Sequence, residues 1–178
     1  MKRVWLVGVG LGLTLIGGRV QALPGQTAKE AALWIRTHPT LQPAPYETLL
    51  VRKSHTPAQR FTFQASLMPV GRASAPQGVI RAEEFSLTNL VRGVSRGRLE
   101  EALRIIYGPI VHQDYRQATL VYTYPDRDSG MQGEVREGDR YAYWLEIAKR
   151  PDGFAYMGKV TVFLRDDLPK LEAELRRP

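Results

Sequence analysis

Residues 140–165 read RYAYWLEIAKRPDGFAYMGKVTVFLR, two runs of strand-forming residues joined by Arg150-Pro151-Asp152-Gly153. Proline at the second position and glycine at the fourth suit a type I turn that closes on a left-handed glycine. The runs on both sides are rich in aromatic and β-branched residues, which favour strands. This stretch therefore predicts an antiparallel hairpin at the centre of the fold.

The turn also predicts the register of this hairpin. If Arg150 pairs with Phe154, Trp144 faces Val160, and Gly158 lies diagonally across from Trp144, where a missing side chain leaves room for the indole. Both faces of the hairpin are largely apolar, so we expect other parts of the chain to cover each of them.

The first 22 residues have the three parts of a bacterial export signal. Lys2 and Arg3 precede an uncharged apolar run over residues 4–18, and Val20-Gln21-Ala22 offers residues for cleavage. The apolar run is shorter than the roughly 20 residues of a membrane-spanning helix, which favours a cleaved signal peptide over a retained anchor. We expect an exported protein with no transmembrane span after cleavage. Its compartment would be the periplasm or the extracellular space, or the thylakoid lumen in a photosynthetic host.

Cleavage after Ala22 would leave residues 23–178, and 156 residues suit a single domain. The chain has no cysteine, so it has neither a disulfide scaffold nor a cysteine to which lipid is attached. Loss of three basic residues lowers the formal net charge from +7 to +4. That charge favours weak attraction to anionic lipid, cell-wall polymer or an acidic partner, and specifies none of them.

The remaining sequence alternates predicted helices and strands, which indicates an α+β domain. Thr27 and Glu30 form a capping-box signature at the start of a helix that ends near Thr37. A proline-rich irregular connection with one short strand follows over 39–57, and strands are predicted over 61–67 and 79–87. A second helix runs from Ser95 to Gly108-Pro109, and a hairpin pairs 110–115 with 118–124. A polar loop over 125–138 leads into the central hairpin, and a helix over 168–177 closes the chain. We predict one domain with a mainly antiparallel sheet of hairpins and meanders, covered by two or three helices.

The order of elements from Arg98 to Arg165 is a helix, then Tyr107-Gly108-Pro109, then a meander. This order resembles that of the small outer-membrane assembly lipoproteins of bacteria. The resemblance covers less than half of the chain and includes no diagnostic motif, and the chain lacks the lipidated cysteine of those proteins. It implies an envelope module and assigns no site residue.

The sequence lacks the spacing of known metal and cofactor motifs. The three histidines are far apart, and the absence of cysteine excludes iron–sulfur clusters and covalent haem attachment. Asp126, Asp128 and Glu137 have the spacing of calcium ligands, but Met131 stands where the calcium loop requires glycine. We therefore favour an ordinary solvated turn there, and we predict no cofactor and no metal.

For nucleophilic catalysis, the sequence has no Ser-x-x-Lys motif and no cysteine nucleophile. Its one match to Gly-x-Ser-x-Gly, at residues 93–97, contains Ser95, which is the predicted cap of the second helix. Glu83 and Glu84 are adjacent in a predicted strand, so their side chains point to opposite faces and do not form an acid/base pair. We predict a protein without catalytic residues, and an enzyme is the less favoured interpretation.

Glu146 is a candidate for a carboxylate with a perturbed pKa. It shares an apolar face with Trp144, and the predicted register places it opposite Gly158. A partly buried carboxylate would have a raised pKa and act as an acid or a base. The plainer interpretation is an ion pair with an arginine such as Arg140 or Arg104.

Arg92, Arg96 and Arg98 lie at the start of the second predicted helix. Helix N-terminal amides and three guanidinium groups together favour an anion-binding site. The alternative is a solvated loop before a capped helix. The Gly-Lys-Ser/Thr of a phosphate-binding loop is absent, and the modest charge without clustered aromatic residues argues against nucleic acid.

Trp34, Tyr122 and Tyr124 are the candidate residues for binding a partner. Trp34 lies off the apolar stripe of its helix and either docks that helix on the sheet, which we favour, or anchors a partner. Tyr122 and Tyr124 share one face of a predicted strand.

The sequence thus favours an exported, non-catalytic binding or assembly module of the bacterial cell envelope, with a protein or an envelope component as its partner. The alternative is a small anionic-ligand-binding protein, or an enzyme, with its site at Arg92–Arg98. A flat apolar patch containing Trp34 or Tyr122–Tyr124 would favour the first. A concave pocket beside Glu146, Tyr143 and Arg98 would favour the second.

Overall fold

The computed structural model describes residues 23–68, 78–125 and 130–176. The predicted signal peptide, residues 1–22, lies outside the described residues. Within those three ranges, no helix has the combination of length and apolar character needed to cross a membrane.

Seven strands of the described residues form one antiparallel sheet, which confirms the predicted α+β class. The strands are β1 (Leu50–Thr56), β2 (Gln59–Ser66), β3 (Ala82–Asn89), β4 (Thr119–Pro125), β5 (Met131–Glu137), β6 (Tyr141–Lys149) and β7 (Ala155–Leu164). Their spatial order is β1-β2-β3-β7-β6-β5-β4. The predicted central hairpin is therefore β6 and β7, near the middle of the sheet.

In the described part of the chain, three helices pack on the sheet: α1 (Ala28–Thr37), α2 (Arg96–Gln117) and α3 (Leu168–Leu175), the last preceded by a short 3₁₀ turn over Arg165–Asp167. The Thr27–Glu30 capping box at the start of α1 is confirmed, with both reciprocal hydrogen bonds present. Ser95 caps α2, as its hydroxyl accepts a hydrogen bond from the Arg98 amide.

The two faces of the sheet have different environments. One face, which we call the helix face, lies under α1 and α2 and forms the main core with residues such as Phe63, Phe85, Tyr143, Leu145, Val160 and Val162. The opposite face, which we call the open face, contacts α3 through Ala82, Val135, Ala142 and Phe163. Leu168 and Leu171 of α3 are buried there, at one end of the strands.

The predicted turn is present in the β6–β7 hairpin, but the predicted register is wrong by one residue. Arg150 and Phe154 are joined by a backbone hydrogen bond of 3.0 Å. A bulge follows between Ala148 and Lys149, after which Trp144 lies opposite Thr161 instead of Val160. A bulge adds one residue to one strand, and a one-residue shift changes every partner and the face on which it lies. Gly158 consequently lies on the helix face and not beside Trp144.

The structure gives Gly158 a different packing role, which leads to a testable prediction. A Cβ atom at Gly158 would lie 2.7 Å from Cδ1 of Leu99 and 3.0 Å from Cγ1 of Val94, both buried side chains. We expect Gly158→Ala to lower the free energy of unfolding by about 1–3 kcal/mol, because the core would have to move. Urea denaturation would measure the change.

Gly97→Ala is the matched control, since a Cβ atom at that position meets no atom within 4 Å. This exposed helical position should tolerate alanine or gain slight stability from it. An equal loss of stability in both variants would contradict the proposed packing role of Gly158.

The predicted hairpin of residues 110–115 is also wrong, because these residues continue α2. Gly108 interrupts the helix with φ 79° and ψ −177°, a conformation that favours glycine, and Pro109 starts the second helical segment. Val111 and Tyr115 are four residues apart and both buried, as helical spacing requires. The partner of β4 is instead β5, which lies within the segment predicted as a polar loop.

Candidate functional site

A groove of about 260 Å³ lies on the open face, next to the part that α3 covers. Ala82 and Thr161 are its small, buried side chains. Trp144 lines it from β6, and Glu84 lines it from β3. Gln64 and Met68 line it from β2 and the residues that follow, and Met68 is 62% exposed. The groove thus joins an aromatic ring, a thioether, an amide and a carboxylate at a solvent-accessible surface.

A hydrogen-bonded network fixes the side chains beside the groove. The indole nitrogen of Trp144 donates to the Tyr124 hydroxyl over 3.0 Å, and that hydroxyl donates to Oε1 of Glu146 over 2.6 Å. Nζ of Lys159 lies 2.6 Å from Oε2 of Glu146. Because each side chain is held by the next, Trp144 presents its ring to the groove in a fixed orientation.

Lys159 connects this network to the groove itself. Its ammonium lies 3.6 Å from Oε2 of Glu84 and 5.1 Å from the centre of the Trp144 ring. Burial lowers the pKa of Lys159, but the hydrogen bonds and charges of Glu146 and Glu84 outweigh it, so the pKa is raised overall. Lys159 therefore stays positively charged over the whole physiological range.

Tyr124 depends on a glycine for its position. Gly133 pairs with Tyr124 across β4 and β5, and a side chain at Gly133 would overlap with the tyrosine ring. Burial, together with the hydrogen bond and charge of Glu146, raises the pKa of the Tyr124 hydroxyl. Tyr124 thus remains a neutral hydrogen-bond donor to Glu146.

Lys159 acts in this arrangement as the cation of an ion pair. The Lys159 ammonium is held by two carboxylates, and its raised pKa keeps it protonated, whereas a nucleophilic lysine needs a lowered pKa. In the described ranges, no group of three acidic or histidine side chains has the geometry to hold a metal ion.

Glu146 is buried, as the sequence suggested, but its ion-pair partner is Lys159 and neither Arg140 nor Arg104. The corrected register explains the difference, since Lys159 and not Gly158 lies opposite Glu146. The sequence contains a signal for this ion pair, but the wrong register made it unrecognisable. Opposite charges at Glu146 and Lys159 interrupt two otherwise apolar strands, and charges of opposite sign favour pairing across strands.

Of the three arginines in the predicted anion site, one is bound to carboxylates of the protein itself and two are exposed. The Arg96 guanidinium binds the carboxylates of Glu134 and Glu100 and also donates to the Tyr115 hydroxyl. Arg92 and Arg98 are exposed. The nearby amides are also engaged: the Asn89 side chain accepts from the Val91 and Arg92 amides, and Ser95 accepts from the Arg98 amide.

Of the predicted partner-binding residues, Trp34 is only 6% exposed and packs against Phe63 and Tyr107 in the core. Its ring docks α1 on the sheet and offers little surface to a partner. Tyr122 lies under the end of α3, where its hydroxyl donates to the Leu175 carbonyl over 3.0 Å. Tyr124 is the one member of this set that belongs to the network beside the groove.

Asp126 and Asp128 of the predicted calcium loop lie outside the described residues. Glu137, the third predicted ligand, forms an ion pair of 2.7 Å with Arg165.

A second acidic residue, Glu83, is buried on the opposite side of the sheet from Glu84. Glu83 is 0% exposed and lies between Ala65 and Val162 in the sheet register. Burial raises the pKa of the Glu83 carboxyl to about 8, and the Tyr107 hydroxyl opposes this effect only in part. The sequence predicted that Glu83 and Glu84 point apart, but it gave no sign of which face would be closed to water.

Comparison with known protein families, with curated proteins and with solved structures gave no match to this chain.

Proposed function

We propose that this protein is an exported, non-catalytic binding module of the cell envelope, and that it holds a protein partner in the groove on its open face. Export is inferred from residues 1–22. The observation that carries the binding role is the fixed Trp144 ring beside an accessible groove. Rigid aromatic rings in concave sites are common anchors of protein interfaces.

The energetics of the network support a role in binding. Side chains that are already fixed in the free protein lose less conformational entropy when a partner binds. Trp144, Tyr124 and Glu146 are ordered by hydrogen bonds within the protein itself, so they need no ligand to hold them. The alternative anion site at Arg92–Arg98 has less support, because Arg96 is already paired with two carboxylates.

An affinity experiment on the mature chain tests this proposal. The immobilised protein would be incubated with an envelope extract of its host, and bound proteins would be quantified by mass spectrometry. The variant Gln64→Ala/Met68→Ala removes two exposed side chains from the groove and should reduce recovery of the partner about tenfold, a loss of roughly 1.4 kcal/mol. The control variant Arg92→Ala/Arg98→Ala removes two exposed arginines away from the groove and should retain the partner.

Two results would contradict the proposal. Loss of the partner in the arginine variant alone would move the site to the start of α2. Recovery of no protein by the unmodified chain would remove the support for a protein partner altogether.

A further inference from the structure

We infer that the groove receives one basic side chain, a lysine or an arginine, from the partner protein, with Glu84 as its counter-charge. This inference rests on the proposed function and specifies the chemistry of the partner. It follows from the distribution of charge in the network and from the shape and composition of the groove.

The charges beside the groove do not balance. Lys159 carries one positive charge and lies between two carboxylates, 2.6 Å from Glu146 and 3.6 Å from Glu84. The closer contact with the more buried Glu146 is the stronger one, because burial reduces screening by water. Lys159 therefore compensates the negative charge of Glu84 only weakly, and the Glu84 side chain is 44% exposed.

No other cation in the described ranges approaches Glu84 closely enough to form an ion pair. The Thr161 hydroxyl donates to it over 3.4 Å, a long hydrogen bond that leaves the carboxylate with free acceptor capacity. The negative charge of Glu84 is thus only partly compensated within the protein, and it would attract a cation from the partner. An anionic ligand would meet repulsion at the same position.

The remainder of the groove suits the stem of a basic side chain. Ala82, Met68 and Trp144 supply apolar surface along the groove, and Glu84 supplies the charge. Lysine and arginine lay their methylene groups along apolar surfaces and keep the charged group near water. The Trp144 ring adds attraction for a cation, as it already does for Lys159.

Short peptides give a direct test by nuclear magnetic resonance. Acetylated and amidated Gly-Arg-Gly and Gly-Lys-Gly would be titrated into the ¹⁵N-labelled mature chain, with Gly-Gln-Gly and Gly-Glu-Gly as probes of the same length. The Trp144 indole signal is the reporter, since its N–H bonds to Tyr124 beside the groove. We expect saturable shifts with the basic peptides, at a dissociation constant of about 1 mM. We expect at least about tenfold weaker binding of the other two.

Three variants assign the effect to Glu84. Glu84→Gln should weaken binding of the arginine peptide about tenfold, and Glu84→Lys should abolish it and favour the glutamate peptide. Glu101→Gln makes the same change of charge on α2 and should leave binding unchanged, because Glu101 is 52% exposed and pairs with Arg104. Folding of each variant is checked in the same spectra.

Equal binding of the glutamine and arginine peptides would overturn the inference, as would arginine binding that Glu84→Gln leaves unchanged. The affinity experiment separates this failure from failure of the proposed function. If Glu84→Gln retains the envelope partner while Gln64→Ala/Met68→Ala loses it, the groove binds a protein but not through a basic side chain. If neither variant loses the partner, both conclusions fail.

Discussion

Glu83→Gln is expected to raise the free energy of unfolding at pH 8 and to remove most of its decline between about pH 4.5 and pH 8. The folded protein holds a proton on Glu83 up to a pKa of about 8, whereas the ordinary value for a glutamate is 4.5. Between these values the folded state binds more protons than the unfolded state, so stability falls as the pH rises. The stabilising effect of the proton is complete below pH 4.5 and is lost by the time the pH exceeds 8.

The size of this effect follows from the burial of Glu83. Each unit of pKa difference corresponds to about 1.4 kcal/mol, so the ionised carboxylate destabilises the folded state by a few kcal/mol at pH 8. Glutamine keeps the shape of the side chain, stays neutral and avoids this penalty. Tyr107 faces the same carboxyl, and the burial and charge of this pair raise the pKa of its hydroxyl as well.

Urea denaturation from pH 4 to pH 9 would measure the change. Glu84→Gln is the matched control, because Glu84 is the neighbouring residue but lies on the open face. Its profile should keep the decline of the unmodified chain. A Glu83→Gln variant that is less stable at pH 8 than the unmodified chain would show that the ionised carboxylate is well solvated or paired in the folded state.

Asp167→Ala is expected to destabilise the protein by about 3–5 kcal/mol, the usual effect of leaving one member of a buried ion pair without its partner. Asp167 is 0% exposed and accepts two hydrogen bonds from Arg81, of 3.0 Å and 2.6 Å. This two-point contact ties the start of β3 to the turn that leads into α3. Its loss would loosen the cover of the open face.

Two variants distinguish the ion pair from its surroundings. Lys170→Ala removes the outer partner of Asp167, which is 3.2 Å away and 45% exposed, and should change stability by less than about 1 kcal/mol. The double variant Arg81→Met/Asp167→Leu removes both charges and should recover most of the loss, because apolar residues often replace buried ion pairs without harm. Chemical denaturation at pH 7 measures all three. A double variant as unstable as Asp167→Ala would mean that packing, not charge, causes the loss.

Local sequence signals predicted the parts of the fold that short-range chemistry determines. The capping box at Thr27 and Glu30 placed the start of α1, and Pro151 with Gly153 placed the central turn. Those signals depend on neighbouring residues alone. They were therefore readable without knowledge of the tertiary structure.

The wrong predictions concern features of the fold that depend on tertiary packing. Residues 110–115 form a short apolar run, and such a run fits a buried strand as well as a helix. The bulge at Ala148 and Lys149 has no local signature in the turn, yet it moved Lys159 opposite Glu146. Without that register, the sequence could not show that Trp144 and Glu84 both lie beside Thr161 on the open face.

The spatial order of the strands has a consequence for the kinetics of folding. β1, β2 and β3 pair in sequence, as do β4, β5, β6 and β7, so most of the sheet forms through short loops. Among the strand pairs of this sheet, the pairing of β3 with β7 joins the most distant parts of the chain, residues 82–88 with residues 157–163. Closing so long a loop carries the largest entropic penalty. We therefore expect β1–β3 and β4–β7 to form two meanders quickly, and the pairing of β3 with β7 to be the rate-limiting step of folding.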